Sequence, residues 1–112
     1  MSINLAKPMQ TVRQNPFVLC AWPSFSDQSY ITGYRVYDDR VGETTRFTYR
    51  PEHEWYWLPG QTPTEVSMLK CYDSVIDGSV SRWSFHSACV DPTAPTDAPC
   101  RNNIVVRSFV FF

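Results

Sequence analysis

No stretch of this sequence approaches the roughly 20 consecutive apolar residues of a membrane-crossing helix. Its first residues, MSINLAKPMQTVRQNP, lack the charged start and continuous apolar run of a signal peptide. The expectation is a soluble, cytoplasmic chain with no membrane partner. Charge of one sign is equally missing: ten basic residues stand against eleven acidic ones, interleaved rather than blocked, so no field draws in nucleic acid. The four cysteines, at 20, 71, 89 and 100, form no Cys-x-x-Cys pair and have no histidine at zinc-finger spacing, which excludes those metal frameworks and predicts reduced thiols. There is no internal repeat and no low-complexity linker, and 112 residues fit one domain, taken as 1–112.

Aromatic residues and proline are what the chain has in quantity. Seven Phe, six Tyr, four Trp and nine Pro suit short strands in a sandwich or barrel better than helices, so the chain reads as mostly β. TGYRVYDD and ETTRFTYR are alternating runs that predict a hairpin turning across Asp39 to Gly42, with Gly42 free to supply a positive φ. One helical signal stands out: Thr62 as cap, Pro63 at the first helical position and Glu65 closing a Thr-x-x-Glu box predict a short helix near 63–68. VSMLKCYDSVI then reads as a strand, DGS as a turn and VSRWSFHSACV as a second strand carrying His86. DPTAPTDAPCRNN, with three prolines, predicts an extended loop before the last strand, IVVRSFVFF.

Alternation in that last strand puts Val105, Arg107, Phe109 and Phe111 on one face and Ile104, Val106, Ser108 and Val110 on the other. A guanidinium keeps its proton and is costly to bury alone, so something anionic should meet Arg107. An internal Asp or Glu, a reach to the rim, and the carboxylate of a bound cosubstrate all satisfy that demand.

Taken together, INLAKPMQTVRQNPFVLC, DRVGETTRFTYRPEHEWYWLPGQTPTEVSMLKCYDS and SRWSFHSACVDPTAPTDAPCRNNIVVRSFVFF resemble the C-terminal part of a fungal hydroxylase/desaturase family. That family includes the aspergillic acid pathway enzyme and gibberellin desaturase. The resemblance runs from about Ile3 to Phe112, and its most specific pieces are GET, WYWLPGQTPTE, LKCYDS and DPTAPTDAP. It implies a double-stranded β-helix, a jelly-roll or cupin-like barrel or part of one. It also implies hydroxylation or desaturation of a small secondary metabolite with Fe(II) and 2-oxoglutarate. In such enzymes two histidines and a carboxylate hold the iron and leave positions for 2-oxoglutarate and oxygen.

Carried over by position, the resemblance makes His86 a metal ligand and gives Arg107 the 2-oxoglutarate carboxylate, which a planar fork can hold at both oxygens. Lys70 matches a family lysine and is the other candidate for that anion. Tyr72 and Asp73 match the same segment, Asp73 beside a turn where it would fix the backbone. His53 also matches a family histidine, but Trp55 stands where a His-x-Asp or His-x-Glu continuation would need its acid, and a structural role is expected.

The sequence also departs from the family. Members are longer and carry a His-x-Asp segment upstream of the matched region, and no His-x-Asp or His-x-Glu occurs in these 112 residues. Where members read Asn-x-Trp-Arg-Pro this chain has NLAKP, and Phe85, Cys89 and Cys100 replace a proline, a phenylalanine and a proline. Two further readings therefore stand beside the oxygenase. One is a metal-free isomerase, cyclase or hydrolase using His86, His53, Asp73 or Lys70 as acid or base. The other is a non-catalytic partner that forms a homodimer or docks on a longer relative through its open sheet edges.

Overall fold

The computed structural model describes residues 1–111. Its organising strand is one that carries little outward signal: β1 (Ser2–Pro8), flanked on both sides by partners from the distant half of the chain, β6 (Ser67–Tyr72) and β8 (Asn103–Phe109), in an antiparallel sheet. A second sheet sets β2 (Phe17–Cys20) between β5 (Trp55–Trp57) and β7 (His86–Ala88), and β3 (Tyr30–Val36) pairs with β4 (Val41–Phe47) as a hairpin. Among the described residues no helix is long and apolar enough to cross a membrane.

Small side chains explain the position of β1. Ser2, Ala6 and Pro8 are buried while Lys7 is exposed, the period-2 pattern of a strand with one covered face. That face is shared with the neighbours: Asn4 lies opposite Leu69 of β6 and Arg107 of β8, and Ala6 lies opposite Val105. The predicted Val105, Arg107, Phe109 face of the last strand is therefore its inner one. Between Ser2 and Ile3 the β6 register slips, leaving Cys71 without an opposite partner on β1.

An aromatic cluster gathers around Phe85, between the hairpin and the second sheet. Phe85 is buried, stacks on Phe47 at 4.2 Å between centroids and meets Phe25 edge-on at 5.0 Å. Tyr30 meets Trp83 at 4.9 Å, and Phe47 also stacks on His53 at 4.4 Å and meets Trp55 at 5.8 Å. Such pairs add to the area they bury. Because Tyr30 opens β3 and Phe47 closes β4, the hairpin is anchored at its open end, and its far end is exposed.

Several expectations need correction. The hairpin forms, but its turn is Tyr37 to Arg40, closed by the Tyr37 N–H donating to the Arg40 carbonyl at 2.8 Å. Gly42 pairs with Arg35 inside β4, and the glycines with positive φ are Gly60 and Gly78. No helix forms at 63–68: the box at Thr62 and Glu65 closes, with Glu65 Oε2 accepting from the Thr62 N–H at 2.8 Å and from its hydroxyl at 2.9 Å. The chain then enters β6 at Ser67, because pairing with β1 outweighs one turn of local preference. The helical turns that do exist are short 3₁₀ segments at Trp22–Ser24 and Asp27–Ser29. Of the predicted strand through VSRWSFHSACV only His86–Ala88 is paired as one, and Phe112, the last residue of the predicted final strand, lies outside the described residues.

Candidate functional site

β6 and β8 lie on either side of β1, and β7 approaches from the second sheet, so three residues far apart in sequence line one concavity of about 470 Å³: Lys70, His86 and Arg107. Asn4, Thr45 and Trp83 complete much of its wall. The segment bearing His86 is tied to β6 through Ser84. The Ser84 N–H donates to the Lys70 carbonyl at 2.7 Å, and Ser84 Oγ accepts from the Lys70 N–H at 3.0 Å. Ser84 also accepts, at its own carbonyl, a 2.6 Å hydrogen bond from His86 Nδ1.

That bond fixes the chemistry of the histidine. A carbonyl only accepts, so Nδ1 carries the proton and the neutral ring keeps its lone pair on Nε2, the arrangement in which histidine serves as a metal ligand. The exposed ring is held flat against Phe17, 5.1 Å between centroids and 22° between planes. Position and tautomer are thus set before anything binds.

The two cations are held differently. Lys70 Nζ donates to Asp73 Oδ2 at 2.7 Å, and Asp73 is buried. The Lys70 ammonium, then the Val75 N–H on the other carboxylate oxygen, hold the Asp73 carboxyl below its ordinary 3.8. Arg107 instead donates from Nε to the neutral Asn4 Oδ1 at 3.0 Å. The ion pairs among the described residues are Lys70 with Asp73 and the adjacent Arg40 with Asp39, so the internal acid considered for Arg107 is not among them.

Asp73 itself does not line the concavity; it anchors Lys70 and the turn that follows. Tyr72 does line it, and the Arg82 guanidinium lies 5.4 Å from the Tyr72 ring centre. His53 is elsewhere: buried in the aromatic cluster, with Nε2 3.1 Å from Ser29 Oγ, it is a core residue. Asn4 and Ser84 went unnoticed in the sequence. Only Asn4 had a signal there, as the asparagine of the family's Asn-x-Trp-Arg-Pro stretch, while nothing local marks Ser84. Among the described residues no group of three or more His, Cys, Asp or Glu is placed to hold a metal ion.

Comparison with known proteins bears on the family and the fold. A family model described as Oxidoreductase/YMDC permease-like domain matches residues 1–111. The hydroxylase/desaturase asaB of Aspergillus flavus is 27% identical over 98% of this chain and 54% of its own length. The hydroxylase/desaturase efuI of Hormonema carpetanum is 30% identical over 98% of this chain and 40% of its own. Among solved structures, the iron and alpha-ketoglutarate-dependent endoperoxidase NvfI superposes with a TM-score of 0.83 at 25% identity, over 95% of this chain and 40% of that one. The chain thus spans about half or less of the length of these relatives. Within that span it has the expected mostly-β, jelly-roll architecture of the iron and 2-oxoglutarate (alpha-ketoglutarate) oxygenases.

Proposed function

Because this chain belongs to the family described as the Oxidoreductase/YMDC permease-like domain, we propose that its concavity is one wall of an Fe(II)/2-oxoglutarate oxygenase site that hydroxylates or desaturates a small metabolite. His86 offers Nε2 to the metal, and Arg107 holds a carboxylate of 2-oxoglutarate with its planar fork. One observation carries this reading: a histidine in the ligand tautomer and a guanidinium without an acidic partner line one concavity, although β7 and β8 belong to different sheets. Lys70, neutralised by Asp73, is the weaker candidate for the anion. A neighbouring hollow of about 240 Å³ shares the Trp83 wall and is lined by Trp22, Phe25 and Tyr30 together with Asp27, Ser81 and Arg82, a mixed surface suited to a metabolite with both apolar and polar groups.

The fit to iron is partial. His86 suits a ligand, but the described residues do not complete two histidines and a carboxylate around it. What these residues do by themselves is bind and orient: Ser84 and Phe17 fix the imidazole, and Asn4 fixes the guanidinium.

Anaerobic titration of the chain with Fe(II), with and without 2-oxoglutarate, tests the proposal. A visible charge-transfer band that needs both components and vanishes in His86→Ala and in Arg107→Leu is the expected result. A folded chain that gives no band, or a band indifferent to both substitutions, would sink the oxygenase role.

A second reading is favoured by the open inner face, where Val105 and Phe109 are 55% and 69% exposed, with Phe111 just beyond the strand 91% exposed. Apolar side chains aligned beside a sheet edge suit docking against a second copy. Gel filtration should then show a dimer that Phe109→Glu dissociates, whereas a monomeric wild type at all concentrations removes this reading.

A further inference from the structure

The two cations of the concavity meet acceptors of different charge. Lys70 faces the buried carboxylate of Asp73 at 2.7 Å, and Arg107 faces the neutral amide oxygen of Asn4 at 3.0 Å. A carboxylate cancels the charge it holds, whereas an amide fixes a donor and leaves the charge in place. Strand register makes the second pairing possible: Asn4 and Arg107 are directly opposite on β1 and β8, on the inner face, where facing side chains sit about 5 Å apart at Cβ. An Nε–H can only donate, so the Asn4 atom that meets it is Oδ1.

We propose that Asn4 is a positioning residue for anion binding, orienting Arg107 through Nε while leaving the guanidinium charge and both Nη groups for the carboxylate of 2-oxoglutarate. Neutrality at position 4 is the essential property. An aspartate there would accept the same hydrogen bond but turn Arg107 into a second internal ion pair, as Asp73 already does for Lys70. The inference rests on the role given to Arg107 under Proposed function. It adds a requirement that role does not contain: the residue opposite the arginine must accept without charge.

Calorimetric titration of the 112-residue chain with 2-oxoglutarate, in parallel with thermal melts, tests it. Asn4→Asp should weaken binding about tenfold or more, the scale of one charged hydrogen bond, while melting no lower than wild type because it gains an ion pair. Asn4→Gln, which keeps a neutral amide oxygen, should stay within about threefold of wild type, and Asn4→Leu, which loses orientation but adds no charge, should fall between them. Should Asn4→Asp fail to fold, Asn4→Leu decides: wild-type affinity in that variant overturns positioning.

Asn4→Asp binding within twofold of a wild type that depends on Arg107 would also overturn the inference, as would equal losses in Gln and Asp variants. Wild-type protein that does not bind 2-oxoglutarate, or binds it equally well as Arg107→Leu, would remove the Arg107 role itself and this inference with it.

Discussion

The aromatic cluster around Phe85 and the inner face of the β1, β6, β8 sheet are built from similar residue types and treated oppositely. In the cluster, Phe25, Phe47, Tyr30 and Trp83 close upon one another and upon Phe85. On the sheet, Val105 and Phe109 of that inner face lie open to solvent at 55% and 69% exposure, beside an arginine held by an amide. Burial, not composition, decides which side stabilises the chain. The difference separates two jobs: the cluster carries folding energy, and the open face keeps charge and apolar surface available for what binds there.

The largest effect is expected from emptying the cluster. Phe85→Ala removes the ring that contacts Phe25, Tyr30, Phe47 and Trp83, and truncating a buried phenylalanine costs about 3–5 kcal/mol. Against a total stability of about 5–15 kcal/mol for a domain, that is a large fraction. Urea denaturation should show a much earlier midpoint with an unchanged slope. A loss below about 1 kcal/mol would mean that the cluster is not the stabilising centre.

A smaller effect, tied to pH, belongs to the sheet. Asp73 has its carboxyl held below the ordinary 3.8, first by the Lys70 ammonium and then by the Val75 N–H. A folded-state value lower than the unfolded one contributes stability that is fully present above 3.8 and is lost as pH falls through the lower folded value. Asp73→Asn should therefore flatten the acid limb of the stability curve below about pH 4 while changing its shape little above pH 6. Asp77, Asp91 and Glu65 are shifted in the same direction by their own turn and box hydrogen bonds, so some acid dependence persists. An acid limb identical in wild type and variant would show that the Lys70 pair is not coupled to folding.

These two regions were also unequally legible in the sequence. The hairpin could be read from alternation, since its pairing is local, yet Gly42 misled because glycine permits a positive φ without requiring one. Thr62 and Glu65 do close their box, but a capping box specifies a turn, and whether a helix follows depends on what the next residues can pair with. Here they pair with β1, more than 60 residues away by register (Ala6 with Ser67), which no local pattern reveals. Arg107 was legible because a charge among alternating apolar residues demands an explanation. Its acceptor was not, because Asn4 becomes its neighbour only through strand pairing across nearly the whole chain. His86 was singled out by resemblance, while its fixed tautomer depends on the Ser84 carbonyl, a backbone group that side-chain reasoning does not see.

The smallest effect is expected on the open face. Phe109 shares the inner face with Arg107, and Phe85 belongs to the same residue type, but Phe109 is 69% exposed where Phe85 is 7%. Introducing a carboxylate at an exposed site usually changes stability by no more than about 0.5 kcal/mol, roughly 2–4 °C in melting temperature for a domain of this size. Phe109→Glu should thus melt almost as wild type in dilute solution, where Phe85→Ala does not. If the inner face is covered by a second copy, the same variant gains a concentration dependence to compare: wild-type melting temperature rises with protein concentration by mass action and the variant's does not. A large loss in Phe109→Glu at every concentration would instead mean that this face contributes to the monomer's own stability, and the division between a closed folding centre and an open working face would have to be redrawn.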